Sequence, residues 1–129
     1  MRATTLMAIA ALGILAVPAA SASDWIEVED PAALRALYAN KTFKGKDWMD
    51  RPVTTHYRED GQGLMLFKGT QIPIRWAVKG RDQVCVVWSA HNDCYRVQRH
   101  KAKAGALRLT DVNTDVQAVY AVEESIPKF

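Results

Sequence analysis

The sequence predicts a mainly β domain, an antiparallel meander of seven to eight strands curled into a barrel-like or sandwich-like fold, with one N-terminal helix. From about residue 41 onward, apolar and polar residues alternate with a period of two. Clusters of Gly, Asn and Asp interrupt this alternation at regular intervals, as is typical of short strands joined by tight turns. A sheet of that size has to curl or close to cover its edge strands.

One helix is predicted ahead of the strands. Asp30 followed by Pro31 has the chemistry of an N-cap and a first helical residue, and Asn40 is a suitable stop. Between them the apolar residues recur at spacings of three and four, which places them on one face of a helix over 32–39: Leu34, Leu37 and Tyr38. After this helix, strands are predicted over residues 41–45, 52–59, 63–68, 72–79, 83–89, 94–100, 105–112 and 116–124.

The first 22 residues have the organisation of a cleavable signal peptide. Arg2 precedes an apolar run from Met7 to Val17, and an Ala-x-Ala pattern ends at Ala22. The apolar run is shorter than the roughly 20 residues that a membrane-spanning helix needs. We therefore expect a signal peptide over 1–22 and a single β-rich domain over 23–129. The domain is expected to be periplasmic or secreted, with no transmembrane segment after cleavage.

Charge and size limit the classes of function. Removal of the signal peptide leaves 107 of the 129 residues, which is close to the commonest size of one domain. Arg2 is the only charged residue in the removed segment, so 16 of the 17 Lys and Arg remain against 14 Asp and Glu. A general nucleic-acid binder would show a larger basic excess. We expect no nucleic-acid partner and no cofactor.

The two cysteines are an even count in a chain predicted to be exported, and this context favours a disulfide. A Cys85–Cys94 bridge would stabilise the domain by about 2–3 kcal/mol. A hairpin reversal centred on His91 and Asn92, however, would place Cys85 opposite Gln98, too far from Cys94 for a bond. Either the strand bends or the bridge does not form, and the bent strand is the favoured interpretation.

The segment from Gly69 to Val97 combines a tryptophan strand, Ile74 to Lys79, with a turn at Gly80 and two cysteines that flank a hairpin. This pattern resembles a group of small exported proteobacterial proteins of unknown function. The resemblance covers about a quarter of the chain, implies a lipocalin-like or sandwich-like β domain, and brings no catalytic residues. Pro73 departs from the pattern and predicts an edge or a bulge in its strand.

Histidines supply the candidate residues for an enzyme or a metal site. His91, Cys94 and His100 would form a soft-metal site if Cys94 were reduced, but the residues around His91 favour an ordinary turn. His56 lies on a predicted strand without an accompanying nucleophile motif, so an exposed strand histidine is the favoured interpretation. The sequence therefore predicts no catalytic residue and no metal ligand.

A cluster of basic residues spans one predicted strand, the following turn and the next strand. It would form a basic tip able to bind an anionic lipid, a polysaccharide or an acidic envelope protein. Lysine and arginine also keep edge strands soluble, which is the alternative explanation. The members of the cluster are Arg96, Arg99, His100, Lys101, Lys103 and Arg108.

Aromatic residues are numerous, and in a barrel they either fill the core or line a cavity for one small ligand. They are Trp25, Trp48, Phe67, Trp76, Trp88, Tyr95 and Tyr120.

We expect a non-enzymatic envelope or secreted protein that binds a small ligand or an anionic or macromolecular partner. The alternative is a small periplasmic hydrolase or metal-binding protein that uses His56 or the loop with His91, Cys94 and His100. A third is a structural envelope factor without a ligand.

Overall fold

The computed structural model describes residues 24–47 and 49–129, so the predicted signal peptide and Trp48 lie outside the described residues. Within them, one helix and nine strands follow one another along the chain. Their bounds are β1 Trp25–Glu27, α1 Pro31–Tyr38, β2 Lys41–Lys46, β3 Pro52–Tyr57, β4 Gln62–Phe67, β5 Thr70–Lys79, β6 Gln83–Trp88, β7 His91–His100, β8 Ala106–Asp111 and β9 Gln117–Glu123.

Strands β2 to β9 close into an eight-stranded antiparallel barrel. Each strand pairs with the next one in sequence, and the ring closes where β9 pairs with β2, with Ala121 opposite Lys44. Strand β1 lies outside this ring and pairs with the last residues of β7. Because closure leaves no unpaired edge in the ring, the prediction of a mainly β, barrel-like domain is confirmed.

Helix α1 fills one end of the barrel, the end at which β2 begins. Asp30 accepts the backbone N–H of Ala33 at 2.8 Å, and Pro31 is the first helical residue, so the predicted N-cap is confirmed. Leu34 and Tyr38 are fully buried. The ring of Tyr38 packs at centroid distances between 4.6 and 5.5 Å against three inward-facing rings of the barrel: Phe43, Tyr57 and Trp76.

The predicted strands agree with the observed ones to within three residues at each end. Strand β1 was not predicted, because its three residues are too short for alternation to show. At Pro73, strand β5 is paired with β4 on one side only. On the other side, its pairing with β6 begins one residue later, at Ile74 opposite Trp88. The position is a local edge, as a proline without an N–H requires.

The predicted reversal at His91 and Asn92 is wrong. The chain turns at Ser89 and Ala90, so Trp88 pairs with His91, and both His91 and Asn92 belong to strand β7. Ser89 has φ +52°, a left-handed conformation that suits a two-residue hairpin turn. Ser-Ala carries a weaker turn signal than the Asn-Asp pair that follows, which explains the displaced prediction.

The observed register places Cys85 directly opposite Cys94, with their Cα atoms 4.0 Å apart, and the two form a disulfide. The predicted bridge is therefore confirmed, but the bent strand that was expected to permit it is not needed. The register differs from the expected one by four residues. Because four is an even number, both cysteines keep the outward face of the hairpin that the alternation predicts.

Candidate ligand-binding site

The end of the barrel opposite α1 is open. It is bordered by the loop 47–51, the turns at 68–69 and 89–90, and the loop 112–116. A concavity of about 1020 Å³ begins at this end. Its lining also includes outward-facing residues of β9 such as Val119 and the loop residues 103–106 near the α1 end, so only part of this volume lies between the strands.

Inward-facing side chains of four neighbouring strands, β6 to β9, form what we call the barrel mouth. They continue the inward faces whose deeper positions, such as Val84 and Val97, are fully buried in the core. Three of them are aromatic and two are carboxylates. An eight-stranded barrel has room inside for side chains or for one small ligand. The mouth residues are Trp88, Asp93, Tyr95, Leu109, Asp111, Ala118 and Tyr120.

Gly45 determines where the ring of Tyr120 lies. A Cβ atom added at Gly45 would be 2.5 Å from Cδ2 of Tyr120, so the ring packs directly on the backbone of β2. Any larger residue at this position would push the ring out of its place. The glycine therefore holds Tyr120 against the wall and keeps the mouth open.

Trp88 and Asp93 fix each other at the rim of the mouth. The indole Nε1–H of Trp88 donates to a carboxylate oxygen of Asp93 at 3.1 Å. The ring of His91 stacks on the indole, with centroids 4.2 Å apart and planes 20° from parallel. A tryptophan held on one face and at its N–H presents a defined surface to a ligand.

Tyr95 lies between two carboxylates. It pairs with Asp111 on β8, and Asp93 is two residues earlier on the same face of β7. Burial, followed by the negative charge of Asp93, the neighbouring phenol of Tyr120 and the charge of Asp111, raises the pKa of Tyr95 well above its ordinary value. The phenol therefore stays protonated and can donate a hydrogen bond in the mouth.

The hydroxyl of Tyr38 lies in the core. Tyr38 is fully buried, and within the described residues its hydroxyl has no hydrogen-bond partner. Burial, and then the phenols of Tyr57, Tyr120 and Tyr95, raise its pKa. Tyr95 and Tyr120 line the mouth, whereas Tyr38 is not among the residues that border the concavity.

The six residues of the predicted basic tip do not all lie at a loop tip. Arg96 lies within 3.6 Å of Asp115 and belongs to the outer wall. Arg108 also lies on the outer wall, where it donates to Gln98 at 2.7 Å and stacks over the ring of Trp25. Neither side chain is available at a loop tip.

The other four basic residues lie at the α1 end. His100 Nδ1 accepts the backbone N–H groups of Ala102 and Lys103 at 3.0 and 2.9 Å, which shapes the loop after β7. Lys101 and Lys103 are exposed there. Arg99 faces the helix side of the loop. Within the described residues, none of Arg99, Lys101 and Lys103 forms an ion pair, and their role in binding stays a prediction.

His56 is buried, with 8% of its surface exposed, and the prediction of an exposed strand histidine is wrong. Segment 124–129 crosses the outer face of β2 and β3 and covers it. The ring of Phe129 lies 6.2 Å from that of His56, and Arg58 donates to the main-chain oxygen of Phe129 at 2.7 Å. This segment is distant in sequence from His56, so local alternation could not reveal the burial.

The hydrogen bonds of His56 decide its tautomer. Thr42 donates its only hydroxyl hydrogen to the main-chain oxygen of Ser125 at 2.6 Å, so its oxygen must accept from His56 Nδ1 at 2.7 Å. Nδ1 therefore carries a proton and cannot act as the base that activates Thr42. Burial lowers the pKa of His56, against the raising effect of Glu123 and together with the lowering effect of Lys44.

The metal site considered for His91, Cys94 and His100 is not assembled. Cys94 is bonded to Cys85, and the two histidines lie at opposite ends of β7, nine residues apart, about 30 Å along a strand. In the described part of the chain, no cluster of three or more His, Cys, Asp or Glu could hold a metal ion.

Sequence reasoning missed Asp93, Asp111 and Gly45 as parts of a site. The predicted reversal at His91 and Asn92 places Asp93 in a turn, whereas in the structure Asp93 belongs to β7 and alternates with Tyr95 and Val97. The alternation along 93–97 is the signal that identifies it as inward-facing once the turn is placed correctly.

Comparisons with family models, with curated proteins and with solved structures gave no match to this chain. Among the described residues, the helix is too short and too polar to cross a membrane. The resemblance to exported proteobacterial proteins stays a prediction.

Proposed function

We propose that this chain is an exported, non-enzymatic binding protein that holds one small molecule in the barrel mouth. The observation that carries the proposal is that α1 fills one end of the barrel, whereas the rings of Trp88, Tyr95 and Tyr120 face an open concavity at the other. Tryptophan and tyrosine offer a large contact area together with a polar group. Concave sites with this composition are typical of small-ligand pockets.

Binding fits the described side chains better than hydrolysis does. His56 donates to the hydroxyl of Thr42 and is covered by segment 124–129, so it has no accessible nucleophile to activate. The Cys85–Cys94 bridge supports an oxidising compartment such as the periplasm or the cell exterior. The relation to small exported proteins with lipocalin-like domains is part of the same proposal.

Two alanines of β9 allow a test that separates the inside of the mouth from the outer surface. Ala118 faces inward, and Ala121, three residues later, faces outward. We expect at least one of 2-phenylethylamine, 2-phenylethanol and phenylacetate to bind the protein in a ligand-observed NMR titration. Ala118→Trp should abolish this binding by filling the mouth, whereas Ala121→Trp should retain it.

Two results would contradict the proposal. Binding that survives Ala118→Trp but is lost in Ala121→Trp would place the site on the outer surface of β9. Failure of all three probes to bind would remove the mouth as a small-molecule site. Thermal melting of both variants serves as the control for folding.

The loop after β7 offers a second candidate function, binding of an anionic lipid. Lys101 and Lys103 are exposed, and His100 holds the loop in shape with two hydrogen bonds. We expect Lys101→Glu/Lys103→Glu to reduce co-sedimentation with phosphatidylglycerol vesicles about tenfold or more. Lys68→Glu/Lys79→Glu makes the same charge change at two other exposed residues, one in the turn after β4 and one at the end of β5, and should have less effect. An equal effect would assign the binding to overall charge.

A further inference from the structure

Resting on the proposed function, we infer that the molecule held in the barrel mouth is an organic cation, a protonated amine attached to a flat apolar body. Two inward-facing carboxylates, Asp93 and Asp111, lie among three aromatic rings at the open end of the barrel. Within the described residues neither carboxylate has an ion-pair partner, and together with the aromatic surface they point to the chemical class of the ligand.

The two carboxylates are neighbours across strands β7 and β8. Asp111 pairs with Tyr95, and Asp93 is two residues before Tyr95, so the two acids are diagonal neighbours about 7–8 Å apart. Asp93 accepts one hydrogen bond, from Trp88. One oxygen of Asp111 accepts the N–H groups of Asn113 and Thr114, at 2.8 and 3.1 Å. A carboxylate offers about four acceptor positions, so both acids keep capacity for an ammonium group.

Neither acid has a counter-ion in the described part of the chain. Ion pairs there include Lys44 with Glu123 at 3.0 Å and Lys46 with Asp50 at 3.5 Å. Asp47 is likewise paired with Arg51. A third lysine of the concavity, Lys103, lies in the loop after β7 at the α1 end and, within the described residues, forms no ion pair with either acid. Asp93 and Asp111 therefore place two negative charges in a concave surface, which concentrates the field and attracts cations.

The aromatic residues supply the complementary half of the site. Trp88, Tyr95 and Tyr120 border the same concavity as the acids. The face of an aromatic ring attracts a cation within about 6 Å, most strongly for tryptophan. The rings also offer flat apolar surface for the body of the ligand. An inorganic cation would use the carboxylates but leave these rings without a partner.

The test compares probes of one shape and different charge by calorimetric titration at pH 8, where histidines with an ordinary pKa are neutral. We expect 2-phenylethylamine to bind at least about tenfold more tightly than 2-phenylethanol or phenylacetate. Asp93→Asn keeps a hydrogen-bond acceptor for Trp88. It should weaken the binding of the amine about tenfold and leave the binding of the other two probes unchanged. Asp115→Asn is the matched control, because it removes the same charge from the same end of the barrel outside the mouth, and it should leave the amine affinity unchanged.

The outcomes separate this inference from the proposed function. If 2-phenylethanol or phenylacetate binds as tightly as the amine and Asp93→Asn has no effect, the inference that the ligand is a cation is wrong, whereas the proposed binding site is retained. If Asp115→Asn weakens the amine as much as Asp93→Asn does, the effect comes from overall charge and the inference falls. If no probe binds, both the inference and the proposed function fail.

Discussion

At the α1 end of the barrel, Tyr38 meets Phe43, Tyr57 and Trp76 in ring-to-ring contact, whereas at the opposite end Trp88, Tyr95 and Tyr120 face a concavity. Both sets of rings belong to the inward face. The difference is that only the first end receives side chains from a helix. The same alternation of residues therefore builds a core at one end and a candidate binding surface at the other.

The loop after β7 and the mouth also differ in their charged side chains. The loop after β7, at the α1 end, exposes Lys101 and Lys103, while the mouth contains Asp93 and Asp111. The α1 end is also covered from outside by segment 124–129, which buries His56. We therefore expect substitutions at the α1 end to change mainly stability and substitutions in the mouth to change mainly binding.

The largest expected effect is at the α1 end. Tyr38→Ala should lower the free energy of unfolding by about 3–5 kcal/mol, because it leaves a cavity among three rings. Tyr38→Phe removes only the unpaired hydroxyl and should leave stability unchanged or slightly higher. Urea unfolding measures both variants. A substantial loss in Tyr38→Phe would show that the hydroxyl has a partner in solution.

The next effect concerns the hairpin that carries Trp88 and Asp93 to the rim of the mouth. The double variant Cys85→Ala/Cys94→Ala should lose about 2–3 kcal/mol, because the disulfide limits the unfolded chain. Urea unfolding of the wild-type protein with a reductant should show a similar loss, and the reductant should not affect the variant. If the variant is as stable as the oxidised protein, the bridge contributes only to local geometry.

At the open end, Gly45→Ala should cost about 1–3 kcal/mol through overpacking, since its Cβ would be 2.5 Å from the ring of Tyr120. The shifted ring should also weaken probe binding. A cycle with Tyr120→Ala checks the cause, because Gly45→Ala should cost much less once the ring is absent. Additive losses in the double variant would place the strain elsewhere than at Tyr120.

The smallest expected effect is a pH dependence of stability that arises from His56, which segment 124–129 covers. Burial lowers the pKa of His56 in the folded state, with Glu123 opposing and Lys44 reinforcing the change. The unfolded chain therefore binds the proton first, and stability falls as the pH drops below about 6.5 toward the folded pKa. Urea midpoints between pH 8 and pH 5 should show this slope, and His56→Gln should reduce it. An identical slope in the variant would assign the pH dependence to other groups.

By itself the sequence determined the local features of the fold. The alternation after residue 40 located eight strands, and Asp30 with Pro31 located the start of α1, because these signals depend on residues a few positions apart. The same period of two placed Cys85 and Cys94 on one face of their hairpin. It did so even with the wrong register, since a shift by an even number of residues leaves every side chain on its own face.

Only the tertiary structure decided the register, the closure and the contents of the two ends. The turn at Ser89 and Ala90 brought Asp93 into the mouth, and a weak local signal could not reveal it. Ring closure between β2 and β9, and the burial of His56 under segment 124–129, join residues far apart in sequence, as in the bond from Thr42 to Ser125. Such contacts depend on the packing of the whole chain, which alternation within one strand does not encode.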